Sequence, residues 1–186
     1  HRILPTDKCL LEDKTADEII VSVRKMLPDF GLTAYDERTG RGFLRHVLVR
    51  RGFATGEIMV VLVAATPVFT AQKPFAQALA AAYPDIKTIV LNVNDRRTSL
   101  VLGEKEKVIY GRGYIEDIIC GKRFRISPRS FCQVNPVQTE LLYHEAIAAA
   151  ELSGRETVID AYCGTGTIGI IASDKAAHVI GAELNA

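Results

Sequence analysis

Between residues 158 and 170 the chain reads VIDAYCGTGTIGI, with an acid, Asp160, four positions ahead of Gly164 and with Gly166 and Gly169 following. Glycine lets a turn enter positive φ and lets a ligand approach the backbone closely. The spacing of Gly164, Gly166 and Gly169 satisfies G-x-G-x-x-G, which admits a dinucleotide site. A second acid, Glu183, closes the next apolar run, AHVIGAE, where a carboxylate can accept both hydroxyls of a ribose. Asp160 separates the cofactor classes. A pyrophosphate calls for an uncharged turn and open helix N–H groups, whereas a carboxylate there suits a cationic amino-acid moiety. S-adenosylmethionine carries an ammonium and a sulfonium and no phosphate, so charge favours it over the NAD(P) of a Rossmann oxidoreductase. The plainer alternative is a strand-to-helix turn that binds nothing, with Asp160 as a helix cap.

A second stretch, CGKRFRISPRSFCQVNP, places Lys122, Arg123, Arg125 and Arg129 close together with no acid between them, and interleaves Phe124 and Phe131. A strand there can offer guanidinium groups to phosphates, and a noncatalytic RNA-binding module is one reading. A solvated edge strand kept soluble by its charges accounts for the same composition. Phe131 and Gln133 could stack on a base and read its edge. A core phenylalanine and a loop amide explain them equally simply.

These residues need a frame. TADEIIVSVRKML spaces Thr15 and Glu18 as a capping box ahead of an apolar stripe of Ile19, Ile20, Val23 and Leu27, which predicts a helix. FLRHVLVRRG and EIMVVLVAA predict a hairpin whose second strand is buried on both faces. KPFAQALAAAY predicts a helix stopped by Pro84, and KTIVLNV, KVIYG, YIEDIIC and KRFRIS predict strands with a turn at Cys120 and Gly121. From Asn135, an N-cap followed by Pro136 opens a long helix. TVIDAY, TIGIIASD and AHVIGAE then form one βαβ unit with parallel strands. One such unit cannot cover both faces of a sheet, so further strands are expected beyond Ala186.

The 186 residues are 48% hydrophobic and 24% charged with a net charge of +1, an ordinary globular balance that gives no global field for a polyanion. Four scattered cysteines, no secretory leader and no apolar run able to span a bilayer fit a reducing, cytoplasmic setting without membrane contact. Oligomeric state is not legible. The opening without Met and the close after a strand pattern fit a piece of a longer protein.

FRISPRSFCQVNPVQTELLYHEA, followed by VIDAYCGTGTIGI and VIGAELNA, resembles the RNA uracil-5-methyltransferases, which methylate C5 of a uridine in ribosomal or transfer RNA. The pairing of F-x-Q-x-N with D-x-Y-C-G-x-G-T carries the resemblance, dense from about Tyr110 onward. It implies an α/β chain: an α+β central domain, residues 1–130, facing RNA, then residues 131–186 as the first βαβ unit of a truncated Rossmann-like, class I methyltransferase domain. It further implies S-adenosylmethionine contacts from Gln133, Tyr162 and Glu183, joining Asp160, Gly164 and Gly166 of the turn. Phe131 would lie beside the target base, with Arg123, Arg125 and Arg129 toward the RNA and 23S rRNA favoured over tRNA. Thr167 departs from the asparagine that some members carry.

Uracil C5 is a weak nucleophile, and members of the family activate it by adding a cysteine thiolate at C6. The S-C-N-P and D-P-P-R segments that carry this chemistry do not occur here, so no catalytic residue is assigned within the chain and the nucleophile is expected beyond Ala186. Cys163 belongs to the cofactor turn, and Cys120 and Cys132 read as small buried fillers. The resemblance also makes Cys9 the last of four ligands to a [4Fe–4S] cluster in some members; a small apolar residue near a helix start is the simpler reading.

Overall fold

The structure, a computed structural model, describes residues 5–131 and 133–184; the reading of Cys132 lies outside them. Contacts divide the chain into two compact units. One contains the chain up to Arg51 together with Gly56–Ile115, and the other contains Gly52–Thr55 and the chain from Glu116 onward.

The first unit is built on four strands, β1 (Leu44–Arg51), β2 (Ile58–Ala64), β3 (Ile86–Val93) and β4 (Lys105–Gly111), in spatial order β1-β2-β3-β4. β2 runs antiparallel to β1 and parallel to β3, and β4 returns antiparallel to β3. Helix α1 (Lys14–Met26) and helix α2 (Gln72–Ala82) supply the apolar stripes that cover the sheet. Ile19 and Val23 of α1 and Phe75 and Leu79 of α2 join Val60, Leu62, Ile89 and Leu91 in one cluster. Phe75 is fully buried, with ring centroids 5.1 Å from Phe30 and 5.5 Å from Phe69. Every residue of β2 is buried, as its unbroken apolar run predicts.

The start of α1 differs from the capping box expected at Thr15. Asp13 is the N-cap, its Oδ1 accepting the Ala16 N–H at 3.0 Å while Oδ2 accepts from Arg51 at 2.6 Å. A carboxylate bound to both a helix N–H and a guanidinium outcompetes a hydroxyl two residues later, and Arg51 is remote in sequence. Buried Asn92 of β3 exchanges hydrogen bonds with the backbone of Gly103, and Asn94, the residue after β3, donates to the Leu100 carbonyl. These amides fasten the segment between β3 and β4.

In the second unit, β5 (Ile115–Ile119) and β6 (Lys122–Ile126) form a hairpin. Cys120 (φ +47°) and Gly121 (φ +73°) both take the left-handed conformations that a tight two-residue turn demands. This hairpin, counted with residues 1–130 in the sequence division, groups from Glu116 onward with the second unit. Helix α3 (Pro136–Ala149) begins at Asn135, whose side chain accepts the Gln138 N–H at 3.2 Å. β7 (Thr157–Asp160), α4 (Thr167–Ala172) and β8 (His178–Gly181) form the anticipated βαβ unit, with Asp160 level with Gly181 in a parallel register. Phe124, Ile147, Ile171 and Ala172 make its small core, whereas Ile159 and Ile180, paired across the two strands, remain 68% and 53% exposed.

Truncating Phe75 to Ala removes the ring shared by both aromatic contacts. The expected loss is about 3–5 kcal/mol of unfolding free energy, measured as a lower urea midpoint at unchanged far-UV dichroism before the transition.

Candidate functional site

The loop after β7 is shaped by hydrogen bonds to the chain leaving β8. Ala182 N–H donates to the Asp160 carbonyl (2.8 Å), Cys163 N–H donates to the Ala182 carbonyl (3.0 Å), and Gly166 N–H closes a turn onto the Cys163 carbonyl (2.7 Å). Gly164 and Gly166 sit at φ +53° and +77°, where side-chain-bearing residues are strained. Gly169 is needed for closeness: a Cβ there would stand 3.1 Å from Val179 Cγ1 and 3.5 Å from Asp160 Oδ2. The two acids expected at the strand ends are thereby brought to one turn, since Glu183 Oε2 accepts the Gly164 N–H at 2.9 Å.

Against this turn, within the second unit, lies a cleft of about 220 Å³. Asp160, Tyr162 and Gly164 line it together with Phe131, Gln133 and Arg125. Sequence positions some thirty apart therefore share one space. Gly166 shapes the turn without lining the cleft, and Glu183 reaches the lining through Gly164. Tyr162 is 93% exposed and Phe131 74% exposed. Phe131 is thus not the core residue that composition alone allows.

Asp160 Oδ2 is buried and has no hydrogen-bond partner in the protein. A helix cap would have satisfied it, but α4 has Gly166 at its N-cap and no side-chain cap, so Asp160 does not cap the helix. An unsatisfied buried acceptor costs on the order of 1–3 kcal/mol, recoverable when a cation or N–H donor enters. A carboxylate attracts an ammonium and repels a pyrophosphate.

Tyr143 and Cys120 flank the same core. Burial, and then the neighbouring Cys120 and Asp160, push the Tyr143 phenol up. Burial, reinforced by the Glu140 carboxylate, pushes the Cys120 thiol up, and its N–H donates to Glu140 Oε1 at 2.6 Å. Cys120 is half-buried, against the small buried filler expected of it. Cys163 lines the cleft and packs on β8, where a Cβ on Gly181 would come within 3.0 Å of its Sγ.

The basic stretch carries counter-ions that linear inspection missed. Glu116 Oε2 holds Arg123 at 3.0 Å, Glu116 Oε1 lies 3.6 Å from Arg125, and Asp174 holds Lys122 at 2.5 Å. Glu116 was findable in principle, because a two-residue turn at positions 120 and 121 sets position 116 opposite 125. Asp174 depends on how α4 packs. Arg129 is exposed after β6, away from the cleft lining.

Cys9 is exposed, its backbone N–H bound to Asp17. Among the described residues no group of three or more His, Cys, Asp or Glu side chains converges to hold a metal. They therefore offer Cys9 no co-ligands. No helix among the described residues is long and apolar enough to cross a membrane.

The mixed α/β architecture and a turn of this kind define a Rossmann-like methyltransferase fold, here in part. An uncharacterized RNA methyltransferase of Halalkalibacterium halodurans is 45% identical over 184 residues, 99% of this chain and 40% of the relative. One from Caldanaerobacter subterraneus is 43% identical over 98% of the chain and 40% of its own length. Among solved structures, the Pyrococcus abyssi tRNA (uracil-54, C5)-methyltransferase in complex with S-adenosyl-L-homocysteine superposes with a TM-score of 0.81 at 26% identity, over 99% of this chain and 44% of that one. No protein-family model matches. The chain spans about 40% of the length of its curated relatives, and the resemblance to the RNA uracil-5-methyltransferases read from its residues is borne out.

The cysteines should differ in reactivity. At pH 8, Cys9 should label with a maleimide rapidly and Cys120 more slowly, since exposure and thiolate fraction both govern the rate; peptide mass spectrometry after timed quenching measures the order.

Proposed function

We propose that this chain is the central region and cofactor-binding start of a protein that methylates C5 of a uridine in RNA with S-adenosylmethionine. The observation that carries the reading is the buried, unpartnered oxygen of Asp160, a residue that lines one cleft together with exposed Phe131 and Gln133. Curated relatives named RNA methyltransferases support it. So does the likeness to an archaeal tRNA uracil-C5 enzyme holding S-adenosylhomocysteine.

In this reading Asp160 holds the ligand's ammonium, and Glu183, steadied by the Gly164 N–H, accepts ribose hydroxyls. Gln133 and Tyr162 complete the cofactor contacts, with Gly164 and Gly166 shaping the turn. When bound, S-adenosylmethionine supplies an electrophilic methyl group. Phe131 presents its ring to the target uracil, and Arg123, Arg125 and Arg129 face the RNA backbone. For phosphates to take Arg123 and Arg125, they must compete with Glu116. The thiolate that activates C5 comes from outside residues 1–186. The favoured substrate is 23S rRNA, on the sequence resemblance; the archaeal neighbour is by its name a tRNA enzyme.

Calorimetry on the complete protein should show S-adenosylhomocysteine binding, undisturbed by NAD. Replacing Asp160 with Asn should weaken it about 10- to 100-fold, the size of one charge-assisted hydrogen bond. Displacement by NAD would reverse the cofactor assignment. Labelled methyl transfer to 23S rRNA and tRNA transcripts, followed by nucleoside digestion, should yield 5-methyluridine from the former.

A further inference from the structure

The loop between β1 and β2 has an unusual economy: its backbone is clamped while its one large apolar side chain is left outside. Asp117 of β5 is 4% exposed, and its carboxylate takes three consecutive N–H groups, Phe53 on Oδ2 at 2.9 Å and Ala54 and Thr55 on Oδ1 at 2.9 and 3.4 Å. Thr55 Oγ1 donates to the Glu116 carbonyl at 2.6 Å. Gly52 admits no side chain, because a Cβ would fall 2.4 Å from Thr55 Oγ1 and 2.7 Å from the Glu116 carbonyl. Fixing four residues in this way costs conformational entropy, offset here by charge-assisted bonds to a buried carboxylate. What the clamp presents is Phe53, 65% exposed.

The neighbourhood says what such a ring is for. Glu116, adjacent to Asp117, holds Arg123 and Arg125 of the paired strand, and Arg125 reaches the cleft that Phe131 lines. From the cleft outward, the same hairpin therefore carries guanidinium groups suited to phosphates and, fastened to its other strand, a rigid exposed aromatic. Aromatic faces bind unpaired bases by stacking, and a preorganised ring loses little freedom on binding.

We infer that Phe53 is a second stacking platform, receiving an unpaired base that flanks the target nucleotide in single-stranded RNA. The inference rests on the RNA reading above and extends it to a site outside the cofactor cleft.

The test uses the complete protein, a single-stranded RNA oligonucleotide carrying 2-aminopurine at positions flanking the uridine, and the variants Phe53→Ala, Phe53→Leu and Phe53→Trp. Binding should quench the fluorophore at one flanking position. Phe53→Ala and Phe53→Leu should abolish that quenching and weaken RNA about 5- to 100-fold, as loss of one base–aromatic stack does, and Phe53→Trp should retain both. S-adenosylhomocysteine affinity should be unchanged in all three, which also reports folding. RNA affinity within twofold of the parent for Phe53→Ala and Phe53→Leu, while Arg125→Ala weakens it, would overturn the platform and leave the enzyme reading standing. Unchanged RNA affinity with a changed mass by light scattering would assign Phe53 to a protein contact and likewise overturn it. If the parent protein binds S-adenosylhomocysteine but no RNA, both readings fall.

Discussion

A buried carboxylate oxygen ordinarily finds a partner, and Asp160, at the end of β7, has one that finds none within the protein. The second unit is arranged around that fact. Gly169 lets α4 lie close beside the carboxylate, Gly164 and Gly166 let the preceding loop turn without strain, and the backbone leaving β8 locks the loop from the other side. The residue that carries this oxygen also lines the cleft. An unpaired charge in such a place is a cost to the folded state that a cationic ligand removes, so binding and local stability are tied to the same atom.

Glu183 belongs to this arrangement in a way that its position alone does not reveal. In the structure it accepts the Gly164 N–H, so the acid at the end of the second strand also sets the conformation of the turn after the first. The two strands are joined at their carboxyl ends by this bond as well as by their parallel ladder. The first unit depends on a comparable economy: buried amides at Asn92 and Asn94 fasten a connection between strands that hydrophobic packing cannot hold. In both units polar side chains act at or near the ends of strands, where the backbone pattern runs out.

Charge on the β5–β6 hairpin follows the same logic of local neutralisation. Four cations in a short run look like an open basic patch, yet Glu116 and Asp174 hold three of them. The paired guanidiniums are oriented and partly neutralised. Contacts with a polyanion at such a site proceed by exchange of partners, which favours correctly placed phosphates over diffuse attraction.

Most elements were legible in the sequence because their signals are local. Apolar runs in β2 and β3, the stripe on α1, the proline after α2, the Cys120–Gly121 turn and the strand–glycine–helix–strand order each depend on a few adjacent residues. The D-x-x-x-G-x-G spacing named the turn and its acid for the same reason. Asp13 prevailed over Thr15 as a cap because Arg51 comes from another strand, and Phe131 lies outside the core because of what packs nearby. The sequence by itself determined which residue types stand at the strand ends and therefore which ligand charge they suit. Only the tertiary structure decided that Asp160 keeps an oxygen without a donor, that Glu183 binds the turn, that Asp174 holds Lys122 and that Asp117 clamps the loop bearing Phe53. Those outcomes depend on distances between remote segments, which no local pattern encodes.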